Sequence, residues 1–497
     1  MTEAGDRHRG IDSHDRLDRL GPHARLERLC DPGTLELIRG QVESRHGATE
    51  ARPGDGVVAG IGRVEGRPVA CYAQDGAYMA GSLGEAHAET IVRVLELAAK
   101  RRSPVVSFIE SAGARVQEGT FALDGYAAIF RRNVDLSRKV PQISVVSGVS
   151  AGGGCYAPAL TDFVVMVQDA SLFLTGPGVV REVAGEDVSR AELGGRRVHE
   201  RNGVCHLVSD CDRASAKDVR TLLSYLPREV GGDLPSAAAC APARSNPGTA
   251  VPNRARSVYD VRDVMAGLVD ADSVLEIAPR WARSIFTGFA RLEGLPVGVI
   301  ANQPRYLGGV LDSESSQKGA RFVEVCDRFG VPLIVLVDTP GFMPGRRQER
   351  AGVIRLGATL VHAFAAATVP RVTVILRKAF GGAYITMNAR GLGADAVFAW
   401  PGAEVGVMGA ESAVGVTHGR ELAQRGDAVV HRVALASAYS EEHLNVRSAA
   451  RRGVVDEVIE PAETRQRLVG ALRFATGARS REDTSRSEEP LFSEVYG

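Results

Sequence analysis

The sequence predicts an α/β protein made of two copies of one domain, and three observations carry that expectation. Apolar, β-branched runs ("VVSFI", "QISVV", "FVVMV", then "PVGVI", "LIVLV", "VTVIL") alternate with helix-like stretches such as "GEAHAETIVRVLELAAKRR" and "SSQKGARFVEVCDRFG". Strand–helix alternation of this kind builds a largely parallel sheet covered by helices. Punctuation then recurs at a near-constant offset: Pro141 and Pro370 stand 229 apart (370 − 141), and Gly152 and Gly153 fall on Gly381 and Gly382 at the same offset. Gly81, Leu83 and Pro104 fall on Gly309, Leu311 and Pro332 at 228. Ordered landmarks at fixed spacing mark a duplication. Finally, 497 residues are too many for one ordinary core.

The elements follow in order. Residues 1–20 are charged and lack aromatics, so a disordered tail is expected. Leu, Ile and Val recur at helical spacing between Gly21 and Val42, opening a first domain over 21–250. The stretch "PSAAACAPARSNPGTAVPNRARS", Pro235 to Ser257, reads as an interdomain linker. A second domain is expected over 258–478, and a polar tail over 479–497.

Composition narrows the functional classes. Hydrophobic content of 44% and charged content of 24% are those of a soluble globular protein. Lys+Arg and Asp+Glu balance at 60 each, so no broad field recommends nucleic acid or a membrane surface as partner. The only lysines are Lys100, Lys139, Lys217, Lys318 and Lys378, which leaves phosphate recognition to arginine or backbone amides. The 7 cysteines form no CxxC and no Cys/His ligand spacing, so no metal site is expected. Their scatter, a charged N-terminus and the lack of a run of about 20 apolar residues point to the cytoplasm.

Chemistry concentrates in two glycine clusters, "SGVSAGGGCYAPAL" (Ser147–Leu160) and "LRKAFGGAYITMNA" (Leu376–Ala389). A strand that ends in a turn opening a helix leaves N–H groups unpaired. Such a nest suits a fixed anion or a developing oxyanion. The plainer reading is that the glycines only let a helix pack closely on a sheet. Duplication at the same strand end favours the functional one. Neither cluster is a phosphate-binding loop or a dinucleotide fingerprint. Ser147 and Ser150 lie outside any G-x-S-x-G. His199 and His206 are expected to be structural or surface residues, and Glu110 and Asp338 to cap turns. No acid–base pair stands out.

The residues resemble the β (carboxyltransferase) subunits of biotin-dependent acyl-CoA carboxylases, such as propionyl-CoA carboxylase. The resemblance is carried by "SAGARVQEG" (111–119), "VPQISVV…AGGGCYAPALTDFVVMV" (140–167), "FLTGPGVV" (173–180) and "NGVCHLV" (202–208). In the second half it is carried by "ANQPRYLGGVLDSESSQKGARFVEVCD" (301–327), "VDTPGFMPG" (337–345), "RKAFGGAYITMN" (377–388) and "FAWPGAEVGVMGAESAV" (398–414). The context of "GGAYITMN" looks most like actinobacterial subunits for medium or long acyl chains. Departures occur at Glu110 and Ala112 ("ESAGAR" for the usual "DSGGAR"), Gly178, Leu356 and Thr359.

This resemblance implies two duplicated crotonase-like (ClpP/crotonase) domains, with acyl-CoA on the first and the biotin arm on the second domain of a neighbouring subunit. The catalytic amides would be those of Gly153 and Gly154 for the thioester oxygen, and of Gly382 and Ala383, with Gly381 adjoining, for the biotin ureido oxygen. Gly152, Gly113, Ala114, Arg115, Tyr156 and Ile385 would contact substrate, and Ile385, which follows "GGAY", would read acyl size. Two carbonyls become enolates, hence two turns. The ureido anion would take the α-proton itself, which explains the missing base. Biotin would come on an α subunit with biotin carboxylase and carrier domains, because no biotinyl-lysine context is present here. The resemblance also implies a β homo-hexamer and no metal. Two rivals stand beside this reading: a biotin-independent crotonase-type decarboxylase or hydratase, and a non-catalytic scaffold for a sister β chain.

Overall fold

The computed structural model describes residues 19–45, 51–254, 257–424 and 427–482. They divide into two compact units: 1–235 with Leu275–Ala282 and Arg328–Gly330, and 236–274 with Arg283–Asp327 and 331–497.

Each unit is built on a sheet of the same order. In the first, the path runs Glu36–Ile38, Val57–Val64, Arg67–Gln74, Val105–Ser111, Gln142–Ala151, Phe163–Val167, Leu207–Ser209. In the second, Leu275–Glu276, Ile285–Leu292, Leu295–Asn302, Leu333–Thr339, Arg371–Phe380, Ala396–Ala399 and Glu457–Val458 repeat that path. A short strand lies off it in each unit, Ser171–Phe173 and Glu404–Gly406, paired with the strand that leads into the glycine turn. The duplicated α/β architecture expected from the sequence is present.

One feature escaped the sequence reading. Each sheet carries an antiparallel hairpin next to its first short strand, Val57–Val64 on Arg67–Gln74 and Ile285–Leu292 on Leu295–Asn302. The turns are Glu65–Gly66 and Glu293–Gly294, with φ of 51° and 75° in one and 52° and 81° in the other. Positive φ at both residues is the two-residue turn whose twist matches the strands. Glycine satisfies only half of it, so an Asn-Gly or Asp-Gly search overlooks it.

The parallel strands are apolar throughout because helices cover them. Helix Glu85–Arg101 presses Ile91, Val94, Leu95 and Ala98 onto the first sheet, with Glu85 in its first turn and Lys100 and Arg101 in its last, as the helix dipole favours. Its counterpart, Ser313–Arg328, buries Phe322, Val323 and Cys326.

The expected linker is not a free tether. Ala237 donates its N–H to Gly294 O at 2.9 Å and Arg244 to Ala266 O at 3.0 Å, and Asn246 caps the turn Pro247–Ala250. Prolines here fix the backbone, so residues 236–250, expected in the first domain, pack with the second unit. The tails expected at 1–20 and 479–497 lie mostly outside the described residues. Within them, Leu20 donates its N–H to Asp212 at 3.0 Å, and helix Thr464–Glu482 runs into the second.

Candidate active site

Strand Gln142–Ala151 ends in the 3-10 turn Gly152–Cys155, which passes into the short helix Tyr156–Ala159. Gly152 takes φ +58°, a left-handed conformation that favours glycine. A Cβ on Gly153 would lie 2.9 Å from the Tyr126 ring, and one on Gly154 3.4 Å from both Ser111 Cβ and Tyr126 OH. The N–H of Gly152 is used, donated to Leu174 O at 3.2 Å. Those of Gly153 and Gly154 open the turn, where no acceptor exists within the helical ladder.

The second unit repeats this arrangement. Strand Arg371–Phe380 runs into helix Gly381–Thr386, and Gly381 takes φ +60°. A Cβ there would stand 3.0 Å from Val407 O. Gly382 faces the Phe342 ring, which a Cβ would meet at 3.9 Å, and Ala383 is buried. The amides of Gly382 and Ala383 again begin a helix.

The loop after the preceding strand closes against each turn. Leu83 bridges to Ala114 in one unit and Leu311 to Phe342 in the other. Gly113, at φ +103°, lets the loop approach the strand end, since its Cβ would come 3.3 Å from Ala151 O. Behind it, Ser111 Oγ and Tyr126 OH lie 3.2 Å apart, and burial pushes the Tyr126 phenol up to about 12.

The structure therefore brings Gly113 to Ala151 and Gly152 at the head of the turn, with Ala114 bridged to Leu83 and Tyr156 half exposed on the helix that follows. Ile385 sits on the second turn's own helix with its side chain out, 53% exposed.

Arg115 is buried. Its side chain is 1% exposed and turned inward: Nη1 lies 2.7 Å from both Asp55 and Glu118, and Nη2 donates to Ser82 O at 3.1 Å. It braces the loop from within. His199 and His206 are structural; His199 Nε2 lies 2.6 Å from Leu172 O, and His206 Nδ1 accepts the Val164 N–H at 2.9 Å.

Glu110 and Asp338 do more than cap turns. Glu110 pairs with Arg19 and, at 3.0 Å, with Arg25. Asp338 is fully buried, accepts from Tyr259 OH at 2.8 Å and Arg377 Nε at 3.0 Å, and is raised by that burial against the pull of Arg377 and Lys378. Burial likewise lowers Lys378. The sequence reading missed Gln74 and Asn302, whose side chains hold the backbone of these two acids. Both are amides at the same offset as the other landmarks, so the signal was present. Among the described residues no group of His, Cys, Asp and Glu could hold a metal ion, and no helix is long and apolar enough to cross a membrane.

Comparison with known proteins decides the family. Residues 18–489 match the carboxyl transferase domain. The chain belongs to the carboxyl transferase domain family. It is 43% identical to the propionyl-CoA carboxylase carboxyltransferase subunit of Haloferax mediterranei, over 98% of this chain and 96% of that one. It is 42% identical to the methylmalonyl-CoA carboxyltransferase 12S subunit of Propionibacterium freudenreichii subsp. shermanii, over 97% and 93%. Among solved structures it superposes on a chain of the transcarboxylase 12S crystal structure with methylmalonyl-coenzyme A and methylmalonic acid bound, at a TM-score of 0.90 and 40% identity, covering 97% of this chain and 93% of that one. A single-chain, multi-domain long-chain acyl-CoA carboxylase matches at a TM-score of 0.82 and 30% identity, covering 92% of this chain and 46% of that one. The two neighbours confirm the duplicated crotonase-like fold for this member of the family.

Proposed function

We propose that the chain is the carboxyltransferase subunit of a biotin-dependent acyl-CoA carboxylase, taking the carboxyl group of N-carboxybiotin held by a partner subunit and delivering it to the α-carbon of an acyl-CoA. The single observation that carries this reading is the duplicated glycine turn. Each unit ends its central strand in a left-handed glycine followed by two amides that open a helix. Two carbonyl-derived oxyanions have to be stabilised, and each turn supplies donors for one. Loss of one such donor costs about 2.7–4 kcal/mol of transition-state stabilisation.

In this reading Gly153 and Gly154 hold the thioester oxygen, and Gly382 and Ala383 the ureido oxygen. The donor set fits both groups: neutral amides favour an oxyanion without fixing a cation or a proton. Partners would be an α subunit with biotin carboxylase and carrier domains and further copies of this chain in a hexamer, in the cytoplasm. Ile385 offers an apolar, exposed side chain beside the second turn. Each methylene buried against such a surface contributes about 0.8 kcal/mol, so chains longer than propionyl are the proposed substrates.

The test is reconstitution with a biotinylated α subunit, ATP and bicarbonate, screening acyl-CoAs from acetyl to palmitoyl. Avidin-sensitive carboxylation that favours longer chains, and moves toward propionyl-CoA in Ile385→Asp, is the expected result. Avidin-resistant turnover would point to a biotin-independent enzyme of the same fold. Assembly without any transfer would point to a scaffold.

A further inference from the structure

Behind the two glycine turns lies a second duplicated device, and each copy assembles it from different parts. The N–H of Glu110 donates to Gln74 Oε1 at 3.1 Å, and that of Asp338 to Asn302 Oδ1 at 3.2 Å. Both acids sit at a register irregularity, between Ile109 and Ser111 and between Val337 and Thr339, on the strand that pairs with the turn-bearing strand. The next residue is a hydroxyl that accepts the N–H of the glycine two further on: Ser111 from Gly113 and Thr339 from Gly341, each at 3.3 Å. Those glycines belong to the loops that close against the turns.

An arginine then holds each carboxylate, but its origin differs. Arg377 comes from the turn-bearing strand itself and also donates to the Arg254 and Ser257 carbonyls, at 3.1 and 2.9 Å. The equivalent position in the first copy is Gly148, where a Cβ would lie 2.5 Å from Arg19 Nη2 and 2.6 Å from Glu110 Cδ. There the cations arrive from Arg19 and from Arg25 of helix Pro22–Leu29, and Arg25 binds Asp212 at 2.8 Å as well. A pair kept while its cation changes source is more than inherited packing.

We propose that the two carboxylate–arginine pairs are positioning residues for the two glycine turns, one for each half of the carboxyl transfer. The inference rests on the function proposed above. Pinning residue 110 or 338 fixes the register step and, through the adjacent hydroxyl, the loop that seats each turn. Loss of the charge lets the donors drift, and a misplacement of about 1 Å costs on the order of a hundredfold in rate.

The experiment uses the assembled carboxylase with Glu110→Gln and Asp338→Asn. Two rates are read: kcat/KM for acyl-CoA, and decarboxylation of free N-carboxybiotin without acyl-CoA. Glu110→Gln is expected to lower the first about tenfold or more and spare the second, and Asp338→Asn to lower the second by a similar factor. The charge-retaining Glu110→Asp and Asp338→Glu are expected to recover most of the loss. Variants that assemble yet leave both rates unchanged, or a Glu110→Gln that lowers both equally, overturn the proposal. Should either fail to assemble, Arg19→Ala and Tyr259→Phe remove one contact each; an unchanged rate in the matching half overturns it. If the wild-type complex shows no biotin-dependent transfer, the functional proposal fails. Amide exchange over 152–155 and 381–386 then decides the positioning role: faster exchange confined to the copy altered supports it, and unaltered exchange does not.

Discussion

Gly153 has no room for a side chain, because the Tyr126 ring stands 2.9 Å from where its Cβ would be. Gly382 is different, since a Cβ there would meet the Phe342 ring at an ordinary 3.9 Å. That makes Gly382 the cleaner position for testing a donor. It lies in the first turn of helix Gly381–Thr386, where proline is tolerated because the N–H has no helical acceptor. Gly382→Pro is therefore expected to keep assembly and thermal stability close to wild type while kcat falls about 10²–10³-fold. Steady-state kinetics beside a melting curve checks both. The glycines were legible in the sequence because their duplication is a matter of spacing. The role of Arg115 was not, because "SAGAR" gives no sign of which way a side chain turns. Its two carboxylate partners lie apart in sequence, Asp55 far upstream and Glu118 close by.

At the scale of elements, helix Glu85–Arg101 carries a buried histidine that no motif or spacing singles out. His87 is fully buried, near Arg115 and Asp55, with Nε2 3.3 Å from Gln74 Nε2 and its backbone N–H donated to Asp55 at 3.0 Å. Burial, helped by the Arg115 charge, lowers its ring from 6.5 to about 3. The unfolded chain then binds a proton near pH 6.5 that the folded one refuses. This contribution to stability is complete above 6.5 and is lost as pH falls toward about 3. The slope is about 1.4 kcal/mol per pH unit for one proton. In His87→Gln, a plot of unfolding free energy against pH between 6 and 4 is expected to be flatter by about that amount. An unchanged slope would show that His87 does not couple to folding. Strand and helix order was legible because period and punctuation are local. The hairpins at Glu65–Gly66 and Glu293–Gly294 were not, because Glu at positive φ is carried by the strands on either side of it.

For the whole molecule, the units do not divide the chain at one point. Leu275–Ala282 belongs to the first unit, where Ala278 donates its N–H to His206 O at 2.8 Å and Trp281 is buried against Gly203. A Cβ on Gly203 would lie 2.8 Å from that indole, so the fit is close. A fragment ending at residue 235 is thus expected to unfold at lower temperature and less cooperatively than the same unit in the full chain. Calorimetry of fragment and full chain checks this, and equal midpoints would refute it. The Pro- and Ala-rich stretch misled the sequence reading because composition reports how a segment could move, not which partners hold it.

The borrowed stretch also bears on how the protein is made. A nascent chain leaves the ribosome from its N-terminus at about 5–20 residues per second. When residue 235 emerges, the first unit still lacks Leu275–Ala282 and Arg328–Gly330, which are not yet synthesised. Its sheet can form, but the groove that takes Trp281 stays open through the synthesis of the segment between. Completion of the first half must wait for part of the second to be translated, so the two halves of this duplicated gene are tied by timing as well as by descent.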